Sequence, residues 1–285
     1  MLLQDFFQYF DFYDAVEMGL YFVIVGYFFL LFFYFLFMRY RTSRKMYWLY
    51  FSLFFLCFGI ARIFFIVYYF FAPELYDGTN STEIVELLML NYRLATFFTW
   101  LGVASAVGVL GILLFPPEAH EEQKRKKSLK EWFTTPNNIK YIIRYGLFVI
   151  PIIIGILALT LSDGLFMDPD FLTEYPGISV NLLTLKIGSW EYPLGRFLLN
   201  FIFMPLFLVL IPFIFVYLAW KTFGVLRRSY ALNAIGFLLY FGGGRILQGA
   251  LDVANLPHFR AVMPPLIILL ALLILVIANN YEQLK

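Results

Sequence analysis

The chain has 285 residues, 62% of them hydrophobic and only 14% charged, against about 45–50% and about 25% in soluble domains, which excludes a water-soluble globular fold. Its net charge of +2 gives no sign of a nucleic-acid partner, and the single cysteine, Cys57, excludes an internal disulfide. No polar stretch exceeds roughly thirty residues, below the size of a soluble domain.

The first 38 residues carry Asp5, Asp11, Asp14 and Glu17 and no basic side chain before Arg39. A secretory signal begins with positive charge, so the first apolar run, 17–38, reads as a retained span. Six more runs follow at 46–71, 91–115, 141–161, 194–220, 231–251 and 259–279. Each holds about twenty residues, enough for a helix across a ~30 Å hydrocarbon layer. The expected fold is an all-α polytopic bundle of seven helices in one domain, 1–285.

The connecting segments alternate in charge. Segments 39–45, 116–140 and 221–230 hold clusters of Lys and Arg, whereas 1–16 and 72–90 hold none and 162–193 holds only Lys186. The positive-inside rule places the N-terminus outside and the C-terminus inside, and the plasma membrane is the expected location. Asn80-Ser81-Thr82 is a glycosylation sequon on the outer side. Asn80 and Glu83 form a capping pattern that starts the third helix near Ser81. The run 116–131 (PPEAHEEQKRKKSLKE) is a solvated topology anchor facing anionic headgroups. In 162–193, Thr184 to Gly188 alternates polar and apolar residues, with 177–183 as the expected partner strand of a hairpin lid.

Helices two and six align. Arg44 precedes Arg62, and Arg227 precedes Arg245, by the same 18 residues, and Gly59-Ile60-Ala61-Arg62-Ile63 matches Gly242-Gly243-Gly244-Arg245-Ile246. Helices three and seven open with Tyr92-Arg93 and Phe259-Arg260. This pattern predicts a parallel internal repeat of helices one to three and five to seven around a connecting fourth. That three-plus-one-plus-three layout resembles the group joining sugar transporters of the SWEET type, microbial rhodopsins and G-protein-coupled receptors, and the chain also looks like archaeal seven-span proteins. The likeness covers the whole chain but rests on layout. No lysine lies in 259–279 for a retinal Schiff base, Leu113-Leu114-Phe115-Pro116 replaces an acidic-arginine-aromatic triplet, and no Pro-Gln pair marks the helices. No functional residue is carried over, and no cofactor is expected.

Five arginines fall in or at the mouths of spans: Arg62, Arg93, Arg196, Arg245 and Arg260. An arginine at bilayer depth costs several kilocalories unless it meets protein, water or an anion. With a rise of about 1.5 Å per residue, Arg62 lies roughly 24 Å above the inner entry of its helix. Arg245 climbs as far, and the other three lie near outer helix starts. All five thus gather at the outer level, in an expected cationic pocket opening outward. Guanidinium groups there would take carboxylate or phosphate. Structural pairing is the competing reading, with Asp252 placed for Arg245, Glu86 for Arg93, and Glu74 and Glu191 at the right level. Gly242-Gly243-Gly244 and the small face Ala104, Ser105, Gly108 and Gly111 predict close packing, with helices three and six at the centre.

No enzyme is expected. His120 and His258 fall on opposite sides, and no metal spacing, protease constellation or phosphate loop occurs. The leading expectation is a receptor-like or sensory protein binding an anionic or amphiphilic ligand at Arg62, Arg245, Arg93, Arg260 and Arg196, with Asp252 in the group. A facilitative transporter of a small anion or metabolite is the second reading, and a lipid-binding or scaffolding subunit the third. Expected partners are the bilayer, a small anion or lipid headgroup, and a cytosolic protein at the basic inner loops.

Overall fold

Residues 10–114, 136–187, 190–247, 251 and 256–280 are described by the structure, a computed structural model. Within them the chain forms an all-α bundle whose long helices are labelled here in order. They are α1 (Phe12–Ser43), α2 (Met46–Phe71), α3 (Ser81–Leu114), α4 (Pro136–Thr160), α5 (Leu194–Lys221), α6 (224–246) and α7 (Pro257–Asn280). Among the described residues all but α6 are long and apolar enough to cross a membrane, so the chain has the build of an integral membrane protein. The helix predicted as 231–251 is present as α6, but Arg227, Arg228, Asn233 and its glycines leave it more polar than its neighbours.

The helices pack as two runs, α1–α2–α3–α4 and α5–α6–α7, joined through α1–α7 and α3–α5. Helix α3 is the most buried, and two-thirds of its apolar window lies inside the protein. Its small residues explain this. A Cβ on Gly102 would fall 2.4 Å from the Phe58 ring, one on Gly108 would press on Tyr50, and one on Gly111 on Arg144. The small face of α3 therefore receives α2 and α4. The burial of α3 agrees with its expected central place, while α6 packs most extensively on α5 and α7. The glycine run does serve close approach: a Cβ on Gly243 would lie 2.2 Å from Ile267, and one on Gly244 2.9 Å from Ile268, both on α7.

Between α1, α2 and α6 lies an aromatic core of Phe28, Phe35, Phe51, Phe54, Phe55 and Phe237, all fully buried. Phe35 stacks on Phe55 and on Trp48, and meets Phe51 edge to face. Lipid is as apolar as phenylalanine, so burial alone drives little association in a membrane. Ring geometry and dispersion do more, at about 0.5–1.5 kcal/mol per aromatic pair. Two buried hydroxyls are satisfied within α3 itself: Thr99 donates to the Ala95 carbonyl and Ser105 to that of Leu101.

Two ends of different chemistry result. At the acidic end, Asp11 and Asp14 form a reciprocal capping box that starts α1. Helix α3 starts at Ser81 as expected, but the Asn80 side chain closes a turn instead, accepting from the Asp77 amide and donating to the Leu75 carbonyl. The predicted hairpin exists with a different partner: Thr184–Ile187 (β1) pairs antiparallel with Trp190–Pro193 (β2), not with 177–183.

At the basic end, α1, α2, α6 and α7 are tied by one hydrogen-bonded network. Tyr47 donates to Asn279 Oδ1 at 2.7 Å, and Asn279 Nδ2 donates to Asn233 Oδ1 at 2.9 Å. Tyr34 and Arg39 both donate to Asn280 Oδ1, and Ser229 donates to the Ala278 carbonyl. Arg44, in the turn between α1 and α2, has φ 56°. That left-handed conformation costs an L-residue with a Cβ roughly 1–2 kcal/mol. The charged run 116–131 lies outside the described residues.

Candidate functional site

The structure sorts four of the five arginines into two groups. Arg93, on α3, caps the acidic end of α4. Its Nη1 donates to the carbonyls of Ala158 (3.0 Å) and Leu159 (3.3 Å), which have no partner further along the helix, and its Nη2 reaches Asp163 at 2.8 Å. Arg196, near the start of α5, is 3% exposed. It donates to the Phe166 carbonyl, pairs with Asp168 at 3.0 Å, and lies 3.8 Å from the centre of the Tyr92 ring. Both arginines therefore fasten the 161–193 segment to the bundle. Glu86 is exposed, and Glu191 pairs with Lys186 and accepts from Thr184. For Arg93 the expected Glu86 is thus replaced by Asp163, and Arg196 takes Asp168.

The second group lies where α1, α2 and α7 meet. Arg62 sits with its guanidinium 4.2 Å from the centre of the Tyr21 ring. Glu17, one turn before Tyr21 on α1, is buried and within electrostatic reach of Arg260 and Arg62. The Tyr21 hydroxyl, turned toward Glu17, is buried and lacks a hydrogen bond of normal geometry. Among the described residues no carboxylate forms an ion pair with Arg62. Its side chain instead lines a cavity of about 30 Å³ with Thr99, Tyr240, Phe241, Gly244 and Ile268. A water needs about 10–15 Å³ of such volume, so the space suits two waters or one small anionic group. Arg245 follows Gly244 in the π-helical segment Leu239–Ile246, and its side chain and all of Asp252 lie outside the described residues. Arg62 is α-helical, so the two aligned positions differ in backbone.

The acidic end holds a cavity of its own. The cavity found there, about 610 Å³, is lined by Tyr68, Tyr69, Tyr76, Asp168, Asp170 and Glu174. Burial, then the nearby charges of Asp170 and Asp168, raise the Glu174 carboxyl above its ordinary value. An acid raised on folding favours the folded state below its unfolded pKa, and that contribution is lost as pH rises through the folded pKa. Glu174→Gln is accordingly expected to raise the thermal midpoint at neutral pH. The gain should vanish once pH falls below the ordinary carboxylate range; thermal scans in detergent across pH check both halves.

Glu17 and Tyr21 were not singled out in the sequence, although four-residue spacing at the mouth of an apolar helix puts them on one face. No protein-family model, curated protein or solved structure matches the chain.

Proposed function

We propose that this chain is a receptor-like membrane protein of seven spans, N-terminus outside, in the plasma membrane. In this reading it binds a small anion, or the anionic end of an amphiphile, at Arg62. The observation that carries it is Arg62 lining a small interhelical cavity with no ion-pairing carboxylate among the described residues. In a water-poor bundle such a charge gains more from an anion than it would at a surface. Arg260 and Glu17 lie beside it as a second charge and its counter-charge.

Two observations support the receptor-like form. Helices α6 and α7 contribute Gly244 and Ile268 to the cavity, and the same helices contribute Asn233 and Asn279 to the basic-end network. Occupancy at Arg62 would thus bear on the helices that end beside the basic loops. Facilitative transport of a small anion is the second reading, supported by the matching sequence around Arg62 and Arg245.

Thermal unfolding in zwitterionic lipid nanodiscs tests the site. Bromide, nitrate and acetate should raise the midpoint saturably, with gluconate as a bulky control. Arg62→Gln should stay folded and weaken the binding by about tenfold to a hundredfold, the worth of one charged hydrogen-bonding group. A wild type indifferent to every small anion would refute the proposal.

A further inference from the structure

The basic end holds a second cavity, of about 650 Å³, where α1, α2, α3, α4, α6 and α7 converge. Its volume lies within the range of small-molecule sites. Four cationic side chains line it: Arg39, Arg44, Lys45 and Arg144. No carboxylate appears among its described lining residues, and among the described residues none forms an ion pair with any of the four. Tyr47 and Trp48 give it an aromatic wall.

Three features mark this as more than the loose positive charge that orients a membrane protein. Gly111 has no Cβ to hold Arg144 away, so α4 closes on α3 and carries that arginine to the cavity. Arg44 stands in a left-handed conformation that glycine would adopt without strain, at a position where its side chain lines the cavity. Arg39 is held over the Trp48 ring and by Asn280, and its Nε is buried without a hydrogen-bond partner. Gathered like charges repel, and an anion of more than one negative charge relieves that repulsion. Guanidinium forks match phosphate oxygens bidentately.

We infer that the basic-end cavity is a binding site for a phosphate ester, distinct from the Arg62 site. The phosphate comes either from the headgroup of an anionic lipid or from a soluble phosphate compound. Bound there, it would tie the ends of six helices together.

The full chain in phosphatidylcholine nanodiscs provides the test, with two arms. One arm adds a small fraction of phosphatidic acid to the bilayer and counts retained lipid by native mass spectrometry. The other adds glycerol phosphate or pyrophosphate and follows the thermal midpoint. Saturable retention in the first arm identifies a headgroup site; a saturable shift confined to the second identifies a soluble phosphate site. The paired substitution Arg44→Gly and Arg144→Gln should reduce either signal at least tenfold. Arg44→Gly alone should leave the protein as stable as the wild type or more so, which separates lost binding from lost folding. Arg62→Gln should leave phosphate binding intact, so this site and the proposed anion site fail independently. Absence of saturation in both arms, or a paired variant that binds like the wild type, overturns the inference.

Discussion

Replacing Arg196 with leucine is expected to cost about 3–5 kcal/mol of stability, the usual penalty for breaking a buried ion pair from one side. Arg196 is 3% exposed, and it serves Asp168, the Phe166 carbonyl and the Tyr92 ring at once. Leucine leaves the carbonyl and the carboxylate without their donor. The matched control is Arg93→Leu. Its partner, Asp163, is more than half exposed, and water competes for such a pair, which is worth about 1 kcal/mol or less. The carbonyls of Ala158 and Leu159 that it caps add a modest further loss. Unfolding in graded denaturing detergent should therefore rank the variants Arg196→Leu far below Arg93→Leu. Equal losses would mean that burial of the Arg196–Asp168 pair does not hold the acidic-end segment in place.

The second large effect is expected at the opposite end. Asn279→Leu removes the acceptor of Tyr47 and the donor to Asn233, a residue wholly buried. A buried polar group left without a partner costs about 1–3 kcal/mol in water-soluble proteins. Interhelical hydrogen bonds in membranes average nearer 0.6 kcal/mol, because the unfolded helices also find partners. The expected loss is therefore about 1–2 kcal/mol, smaller than at Arg196. Asn279→Asp is the informative companion: it keeps an acceptor for Tyr47 but loses the donor to Asn233. Its stability should fall between those of the wild type and the leucine variant. If Asn279→Leu unfolds like the wild type, the network does not brace the ends of α1, α2, α6 and α7.

Much of this architecture is legible in the sequence because it follows from composition along the chain. Apolar runs mark the helices, and the split of Lys and Arg from Asp and Glu marks the two ends. The start of α3 at Ser81, well before its apolar stretch, follows from local turn chemistry, though Asn80 acts by a different bond than the capping pattern implies. The strand pairing was readable in principle. Gly188-Ser189 between two short alternating runs is a two-residue hairpin signal, and it favours Trp190–Pro193 over 177–183.

The partners of the arginines were not readable. Asp163 and Asp168 come from a connecting segment whose position over the bundle is a tertiary outcome, so helix spacing pointed to Glu86 instead. Likewise, small residues show that a helix is approached closely but not by which neighbour. Gly102 and Gly108 of α3 receive Phe58 and Tyr50 of α2. Arg62 was singled out by its depth. Its distinguishing property, a place on a small cavity without an ion-pairing acid among the described residues, needs coordinates.

Diffraction from crystals grown in bromide, with data collected at the bromine absorption edge, tests the proposed site most directly. An anomalous peak within hydrogen-bonding reach of the Arg62 guanidinium, absent from crystals of Arg62→Gln, is the predicted result. A guanidinium closed against a carboxylate, with no bromide beside it, would contradict the proposal.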